Sequence, residues 1–264
     1  MNQSIAIIGG GNLGTAIAEG LIKSGFVQPA QLTITRRNVA ALQFLQDKGV
    51  VVTSDNSAAV KDAGMVILAI KPFQFKEVLT EIAVALNPQQ VLISVVTGIF
   101  LKDMQSIVGH QMPLFRAMPN TAIAIQESMT CLASTQASAE QVQMVHDVFA
   151  TLGKVAVIDE KLMDAATVLG ACGTAYAMRY IRANIQGGIE IGFDAKTASL
   201  IAAQTVKGAA ELLLQRGAHP EQEIDKVTTP KGCTIAGLNE MEHQGFSSSL
   251  IKGIATSYDK IVKG

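Results

Sequence analysis

The segment SIAIIGGGNLG, residues 4–14, sets the architecture of this 264-residue chain. The apolar run Ile5–Ile8 is too short for a buried helix and predicts a central strand of a parallel sheet. Three glycines follow at the spacing G-x-G-x-x-G: Gly9, Gly11 and Gly14. Apolar residues then recur at every fourth position, which indicates a helix: Leu13, Ile17 and Leu21. This order predicts a dinucleotide-binding site, with a purely structural glycine turn as the alternative.

Each of the three glycines has its own expected use in such a site. Gly9 permits the tight turn, Gly11 lets the backbone approach a pyrophosphate, and Gly14 lets the helix pack closely on the strand. The helix N-terminus adds free N–H groups and the positive end of the helix dipole. We therefore expect the phosphates of a dinucleotide to bind at this turn.

Strand and helix patterns alternate through residues 1–158. The predicted strands are Ile5–Ile8, Leu32–Thr35, Val50–Val52, Met65–Ile70, Val91–Val96, Leu114–Ala117, Met129–Ala133 and Val155–Ile158. Beyond the first helix, the predicted helices are Ala40–Lys48, Phe75–Leu86 and Ala139–Leu152. Such alternation is typical of the α/β class and predicts a doubly wound parallel sheet of the Rossmann type. Its ligand is expected outside the carboxyl ends of the strands.

The pattern changes to helices alone after residue 158. The predicted helices are Leu162–Gln186, ending before Gly187-Gly188, then Asp194–Arg216, Thr234–Gln244 and Ser247–Val262. We therefore divide the chain into a dinucleotide-binding Rossmann domain, residues 1–158, and an all-helical second domain, residues 159–264.

Small residues dominate one face of the second long helix, so another helix can approach it closely. That face comprises Ala198, Ile201, Ala202, Thr205, Gly208, Ala209 and Leu212. The chain is 48% hydrophobic and only 16% charged, below the roughly 25% of an average domain. Both features predict that the helical domain self-associates as a homodimer or a larger homo-oligomer. A monomeric helical cap is the alternative.

Composition also limits the partners and the compartment. The net charge of −1 and the lack of a basic run argue against nucleic acid and anionic membrane surfaces as partners. No apolar run approaches the roughly 18 residues of a membrane span. The three cysteines, Cys131, Cys172 and Cys233, lack the spacing of a disulfide framework or of a zinc site, so we expect reduced thiols in a cytoplasmic protein. The four histidines are scattered, so we expect no metal site: His110, His146, His219 and His243.

The end of the second predicted strand bears on the choice of cofactor. An NAD site usually has Asp or Glu here to accept from the ribose 2′-OH. This chain has Thr35, Arg36 and Arg37 instead. A 2′-phosphate favours cationic forks and rejects a carboxylate, so the residues favour NADPH, with NADH as the weaker alternative. The alternative is that one of the two arginines is only a solvated surface charge.

Loops after three later strands are expected on the same rim: Leu68–Pro72, Ser94–Gly98 and Arg116–Thr121. Lys71 is a candidate general acid or a solvated ammonium beside backbone contacts. Asn120 and Thr121 are candidates for contact with nicotinamide or substrate. Near the C-terminus, the hydroxyl-rich segment Val227–Gly237 runs into a helix and predicts either an anion nest for a carboxylate or an ordinary capped helix start.

The chain resembles the pyrroline-5-carboxylate reductase family over essentially its whole length. The motifs that carry the resemblance are GGGNLG at 9–14, VILAIKP at 66–72, RAMPNT at 116–121 and VTTPKGCTIAGL at 227–238. The resemblance implies reduction of 1-pyrroline-5-carboxylate to L-proline, the last step of proline biosynthesis, usually with NADPH. It also implies a Rossmann domain followed by a helical domain for dimerisation and substrate binding.

The resemblance further assigns residues to the two ligands. Those implied to line the cofactor are Gly9, Gly10, Gly11, Asn12, Leu13, Gly14, Thr35, Arg36, Arg37, Asn56, Ala69, Ile70, Lys71, Pro72 and Thr97. Backbone at Gly232, Cys233 and Thr234 is implied to hold the substrate carboxylate. The Thr234 hydroxyl, as the catalytic group, faces the ring nitrogen, and Glu160 is placed near the substrate.

Two motifs depart from the family pattern. The family typically has SPGGTT in the late loop, whereas this chain has Thr229, Lys231 and Cys233 in place of its Ser, Gly and Thr. The family's GSGPAY stretch is Ala171–Tyr176, ACGTAY, without its Ser and Pro. Two alternatives therefore stay open: a reductase of a different cyclic imine or small hydroxy acid on the same architecture, and a non-catalytic dinucleotide-binding homologue.

Overall fold

The computed structural model describes residues 4–109 and 111–263, so His110 lies outside the described residues. The chain divides into two compact units, the first ending at Cys172 and the second beginning at Gly173. The predicted domain boundary after residue 158 falls earlier than this division. Segment 159–172 packs within the first unit, where Met163 is buried in a small cluster with Met118 and Ala133.

One eight-stranded sheet forms the centre of the first unit. Its strands are β1 Ile5–Ile8, β2 Leu32–Thr35, β3 Val51–Thr53, β4 Met65–Leu68, β5 Val91–Ser94, β6 Leu114–Met118, β7 Ser128–Thr135 and β8 Gly153–Val157. They lie in the order β3-β2-β1-β4-β5-β6-β7-β8. Strands β2 and β3 are therefore added on one side of β1 and strands β4 to β8 on the other, so the strand order reverses between β1 and β4. Ligands of open α/β sheets bind at such a switch point.

The strands pair in parallel except at β6–β7, which is antiparallel. Residues 119–127 are too few for the crossover helix that a parallel return needs, and they hold only the short 3₁₀ turn Thr121–Ile125. The predicted Rossmann-type, doubly wound parallel sheet is confirmed except for this one antiparallel pair.

Helices cover the sheet and bury its central strands on both faces. They are α1 Asn12–Lys23, α2 Gln43–Gln46, α3 Asn56–Lys61, α4 Phe75–Ala83, α5 Leu101–Val108, α6 Ala139–Ala150 and α7 Met163–Ala166. Ile5 and Ile7 belong to one buried cluster, whereas Ala6 and Ile8 belong to another. A strand buried on both faces is apolar throughout, which explains the unbroken run that begins the chain.

The second unit is helical, as predicted. Its helices are α8 Gly173–Glu190, α9 Ala195–Arg216, α10 Pro220–Lys226, α11 Cys233–His243 and α12 Phe246–Lys263. Between residues 173 and 263, all of which are described, no strand occurs. None of the helices in the described part of the chain is long and apolar enough to cross a membrane.

The predicted helix Leu162–Gln186 is wrong in two respects. The structure has α7, then the π-helical segment Thr167–Cys172, then α8, which continues through Gly187-Gly188 to Glu190. A Cβ at Gly188 would lie 3.2 Å from the Cβ of Ala198. This glycine therefore serves the close packing of α8 and α9 rather than the end of a helix.

Candidate functional site

The glycine turn between β1 and α1 is held by close backbone packing. Gly9 has φ +111°, and a Cβ there would lie 2.5 Å from the carbonyl oxygen of Ala69. A Cβ at Gly14 would collide with the carbonyl oxygen of Gly9. Because backbone atoms cannot move aside as a flexible side chain can, both positions require glycine.

Gly11 differs, because a Cβ there would meet no atom of the described residues within 4 Å. It is the N-cap of α1, and within the described chain no side chain caps it and no acidic residue stands in the first turn of the helix. The first N–H groups of a helix have no partner within it. The open space at Gly11 and the uncapped start of α1, where Asn12 and Leu13 lie, therefore fit the phosphates of a dinucleotide.

The end of β2 is bonded to the same turn. The N–H of Gly10 donates to the carbonyl oxygen of Thr35 at 2.6 Å, and the N–H of Gly9 donates to its Oγ1 at 3.2 Å. Thr35 is only 2% exposed, so its hydroxyl supports the turn. Arg36 donates through Nη1 to the carbonyl oxygen of Gly10 at 3.0 Å, and the Arg36 and Arg37 side chains are both exposed.

The segment after β4 lies against the turn from the other side. The N–H of Ala69 donates to the carbonyl oxygen of Ile8 at 2.8 Å, and a Cβ at Gly9 would lie 2.9 Å from a methyl group of Ile70. Lys71 and Pro72 follow and are exposed. The structure thus brings the ends of β1, β2 and β4 together around the predicted phosphate site.

Asn56 and Thr97, the remaining predicted cofactor residues, follow β3 and β5 at the same edge of the sheet. Asn56 is the first residue of α3, and its side-chain amide donates to Glu81 Oε2 at 3.1 Å. Thr97 is exposed beside Gly98, which has φ +76°.

Asn120, a predicted substrate residue, is engaged within the first unit at both ends of its side chain. Its Oδ1 accepts from the N–H of Ala122 at 3.0 Å, and its Nδ2 donates to the carbonyl oxygen of Gly170 at 3.1 Å. The prediction that a loop begins at Arg116 is wrong, because β6 continues to Met118.

The most unexpected group in the first unit is Arg116, which is 2% exposed. Its Nη1 donates to Glu160 Oε1 at 3.1 Å, and the same oxygen accepts from the N–H of Leu101 at 2.7 Å. Its Nη2 lies 3.9 Å from Asp164 Oδ1, and its Cζ lies 4.8 Å from the centroid of the Phe100 ring. Sequence reasoning missed this cluster, although an arginine inside the apolar strand LFRAM signals a buried ion pair.

In the second unit, the predicted carboxylate loop makes a tight turn before α11. The N–H of Gly232 donates to the carbonyl oxygen of Thr229 at 2.9 Å, and a Cβ at Gly232 would lie 2.5 Å from Thr229 Oγ1. Lys231 has φ +59°, a left-handed conformation that favours glycine.

The start of α11 is open to a ligand. Gly232 is its N-cap, and in the part of the chain that the structure describes no side chain caps it and no acidic residue lies in the first turn. Cys233 and Thr234 follow and are exposed. Their N–H groups are among those that a helix leaves without an internal partner, so this turn has the donors that a carboxylate needs.

The three cysteines are free thiols in different surroundings. Cys131 is half-buried, and desolvation by burial raises the pKa of its thiol. Cys172, the last residue of the π-helical segment, is also partly buried, whereas Cys233 is exposed.

Two family models match the chain. One, described as pyrroline-5-carboxylate reductase dimerisation, matches residues 160–263. The other, described as NADP oxidoreductase, coenzyme F420-dependent, matches residues 4–98. The first begins close to the predicted domain boundary, although the compact units divide later.

The relatives and solved structures agree with these models. Pyrroline-5-carboxylate reductase 2 of Dictyostelium discoideum is 43% identical over 99% of this chain and 93% of its own length. Pyrroline-5-carboxylate reductase 1 of the same organism is 46% identical over 98% of this chain, which spans only 49% of that longer relative. The pyrroline-5-carboxylate reductase structure from Coxiella burnetii, 27% identical, has a TM-score of 0.93 and covers 100% of this chain and 98% of its own.

A further solved structure has the same fold with a cofactor present. The Plasmodium falciparum pyrroline carboxylate reductase with NADP bound has a TM-score of 0.87 at 24% identity. It covers 98% of this chain and 97% of its own.

Proposed function

Because the chain belongs to the pyrroline-5-carboxylate reductase family, we propose that it reduces 1-pyrroline-5-carboxylate to L-proline with NADPH as the reductant. The observation that carries the proposal is the pair of uncapped helix starts, at α1 behind Gly11 and at α11 behind Gly232. The first suits the phosphates of a dinucleotide, and the second suits a substrate carboxylate. Residues 1–158 and 159–264 are the corresponding proposed domains.

The choice of NADPH over NADH rests on the end of β2. Arg36 and Arg37 stand there in place of the carboxylate that accepts from a ribose 2′-OH. A guanidinium carries five N–H donors, so the bond from Arg36 to Gly10 leaves others for a phosphate. The exposed guanidinium of Arg37 supplies a second cationic fork.

The substrate is held through its carboxylate at the start of α11 in this proposal. The N–H groups of Cys233 and Thr234 bind the anion, and Gly232, whose own N–H is bonded to Thr229, lets the backbone approach it. The Thr234 hydroxyl meets the ring nitrogen. Cys233 contributes only its backbone, so its thiol is not required. Glu160 and Asn120 belong to the proposed substrate set through their placement in the sequence, and their observed bonds are internal to the first unit.

Little acid–base chemistry is required of the chain. When bound, the reduced nicotinamide supplies a hydride from C4 to the carbon of the protonated C=N bond, which leaves the proton on the nitrogen as the amine of proline. A protonated imine is already electrophilic, so no side chain has to deliver a proton to carbon. The residues of the chain anchor the carboxylate, give the nitrogen a polar partner and align the reacting atoms.

Self-association is the further part of the proposal. Of the described residues 173–263, only Ala198 and Ala202 are buried hydrophobic residues. Large apolar side chains are instead exposed on the long helices of the second unit, for example Leu200 (70%), Leu214 (68%) and Ile251 (67%). A helical unit with so little core of its own gains stability by covering these side chains with a second copy, which makes the chain at least a homodimer.

The proposed function is tested by measuring NADPH oxidation by the purified protein with 1-pyrroline-5-carboxylate and a panel of other cyclic imines. We expect 1-pyrroline-5-carboxylate to give the highest kcat/KM and proline as product. A higher kcat/KM with another imine supports the alternative of a reductase for a different cyclic imine. The departures from the family motif at Lys231 and Cys233 favour that alternative. Binding of NADPH without oxidation on any imine identifies a non-catalytic homologue.

A further inference from the structure

Arg116 lies where the sheet meets its ligand edge. It is in β6, and its register partner in β5 is Ser94, the last residue of that strand. The chain leaves β5 there and forms a short loop, residues 95–100, before α5 begins at Leu101. Thr97, a proposed cofactor residue, lies on this loop. The buried guanidinium of Arg116 is therefore beside the base of a loop at the proposed cofactor site.

The cluster around Arg116 holds the C-terminal end of this loop. The guanidinium Cζ lies 4.8 Å from the centroid of the Phe100 ring. Glu160 accepts from Arg116 Nη1 and from the N–H of Leu101 through one oxygen, Oε1, so the ion pair reaches the first residue of α5. The N–H of Phe100 donates to Asp103 Oδ2 at 3.0 Å. Thr97 and Gly98 are exposed and lie next to this anchored end.

Stability alone is a poor reason for this arrangement. Arg116 Nη2 is buried without a hydrogen-bond partner among the described residues, and the nearest carboxylate oxygen, on Asp164, is 3.9 Å away. Desolvating an arginine is costly, and replacing a buried ion pair by apolar residues of similar volume is often neutral or stabilising. An apolar side chain at this position of LFRAM would fill the strand without an unpaired donor.

We propose that Arg116 is a positioning residue for hydride transfer, which acts through Phe100 and Glu160 to fix the loop that bears Thr97. Arg116 touches neither ligand in this assignment. It keeps the loop in the one place in which the nicotinamide is aligned for transfer, and small misplacements of reacting atoms cost large factors in rate. The inference rests on the proposed function for its kinetic part, whereas its structural part is independent of the substrate.

The test compares Arg116→Met with a control that loses an equally buried polar group elsewhere. Gln90 is 3% exposed and donates through Nε2 to the carbonyl oxygens of Val60 and Ala63, just before the amino end of β5. Gln90→Met therefore removes two buried hydrogen bonds near the amino end of β5, the end opposite to Ser94. For each protein we measure thermal unfolding, the Kd for NADPH, hydrogen exchange of the Leu101 amide, kcat, and the deuterium isotope effect on kcat with NADPH labelled at the transferred position.

For Arg116→Met we expect kcat to fall by roughly 10- to 100-fold per folded enzyme. The isotope effect should rise as hydride transfer becomes rate-limiting, exchange of the Leu101 amide should become faster, and NADPH should bind more weakly. For Gln90→Met we expect a lower unfolding temperature, whereas kcat, the isotope effect and the exchange rate of the Leu101 amide should equal those of the parent. A merely structural role of Arg116 would lower the amount of folded enzyme and leave the isotope effect unchanged.

Two further variants keep the inference testable if Arg116→Met does not fold. Phe100→Leu removes the ring beside the guanidinium, and Glu160→Gln keeps an acceptor for the Leu101 N–H but removes the ion pair. Both should move kcat and the isotope effect in the same direction as Arg116→Met, by smaller factors. An unchanged isotope effect in all the variants that fold, or the same change in Gln90→Met, overturns the inference.

Failure of the proposed function is distinguishable from failure of the inference. If the parent enzyme does not oxidise NADPH with 1-pyrroline-5-carboxylate, the proposed function fails. The exchange rate of the Leu101 amide and the affinity for NADPH then still test whether Arg116 fixes the loop. An Arg116→Met protein with the Leu101 exchange and NADPH affinity of the parent refutes the positioning role, whatever the substrate is.

Discussion

At the scale of single residues, the side chains at the end of β2 differ in their burial and in their bonds to the glycine turn. Thr35 is buried and accepts two hydrogen bonds from the glycine turn, through its hydroxyl and its carbonyl oxygen. Arg36 also bonds the turn, through the Gly10 carbonyl, yet its side chain is exposed. Arg37 is exposed as well. We therefore expect Thr35 to matter for the shape of the turn and the two arginines to matter for the choice of cofactor.

Replacing both arginines by alanine should narrow the preference for NADPH over NADH. A charge-assisted hydrogen bond contributes about 1.5–3 kcal/mol, so each arginine that contacts the 2′-phosphate is worth roughly 10- to 100-fold in kcat/KM for NADPH. The kcat/KM for NADH is the internal control, because NADH lacks that phosphate and should change little. A parent enzyme that prefers NADH contradicts the prediction before any substitution is made.

The Thr234→Val variant should lose substrate turnover but keep cofactor binding. Valine preserves the shape of threonine and removes the hydroxyl proposed to meet the ring nitrogen. A hydrogen bond is worth about 0.5–1.5 kcal/mol and a stranded partner about 1–3, so kcat/KM should fall on the order of tenfold to a hundredfold. NADPH affinity should hardly change.

The matched control for Thr234→Val is the neighbouring Cys233→Ser. Its effect should be mild, because only the backbone of Cys233 is proposed to contact the substrate. Full activity in Thr234→Val together with complete loss in Cys233→Ser would mean that the thiol carries the chemistry.

At the scale of elements, glycines that look equivalent in the sequence serve different ends. Gly9 and Gly14 are required because the β1–α1 turn packs against its own backbone and that of the segment after β4. Gly11 faces open space among the described residues, so we expect its lack of a side chain to matter to a ligand rather than to the fold. Gly188 lies inside α8 and lets α9 approach it. Close packing therefore accounts for Gly9, Gly14 and Gly188, whereas it does not account for Gly11.

Gly14→Ala should lower stability, whereas Gly11→Ala should weaken cofactor binding without lowering stability. Gly14→Ala places a Cβ against the Gly9 carbonyl and should lower the free energy of unfolding by about 1–3 kcal/mol, as overpacking does. Gly11→Ala should keep the unfolding temperature of the parent and weaken NADPH binding. Chemical denaturation and NADPH titration of the two variants provide the measurements. Tight NADPH binding by a stable Gly11→Ala protein would place the phosphates elsewhere.

At the scale of the whole molecule, the two units differ in how completely they bury their apolar residues. The first unit has buried clusters on both faces of its sheet, whereas α8, α11 and α12 of the second contain no residue that is buried within the described chain. The small face predicted on α9 is used in part within the unit itself, where Ala198 and Ala202 are buried and α9 packs on α8. The exposed large side chains are therefore better probes of assembly than Ala202.

The double variant Leu200→Glu/Ile251→Glu should weaken self-association, because it puts two charges into the apolar surface that we propose a second copy covers. Loss of at least tenfold in dimer affinity, about 1.4 kcal/mol, is expected in sedimentation at several concentrations. Val84→Glu is the control, since Val84 is 90% exposed and belongs to the first unit. A parent protein that sediments as a monomer at micromolar concentration would contradict the proposed dimer.

The sequence by itself determined the order of strand, glycine turn and helix, the Rossmann-type sheet, the helical second half and the family. These features depend on local periodicity, glycine spacing and motifs, which can be identified without knowing any long-range contact. The predicted cofactor residues accordingly lie at one edge of the sheet. Short elements such as α3 and α5 were missed, because they carry too few turns to show a period.

Only the tertiary structure decided which groups hold one another. Arg116 and Glu160 are 44 positions apart, and Thr35 is 26 positions from Gly9. No local pattern encodes such partners, since they meet only when the order of the strands puts β2 beside β1 and puts β8, which Glu160 follows, two strands from β6. For the same reason Asn120, predicted from its loop to meet a ligand, has both ends of its side chain bonded within the first unit, and Gly188, predicted to follow the end of a helix, lies inside one against α9.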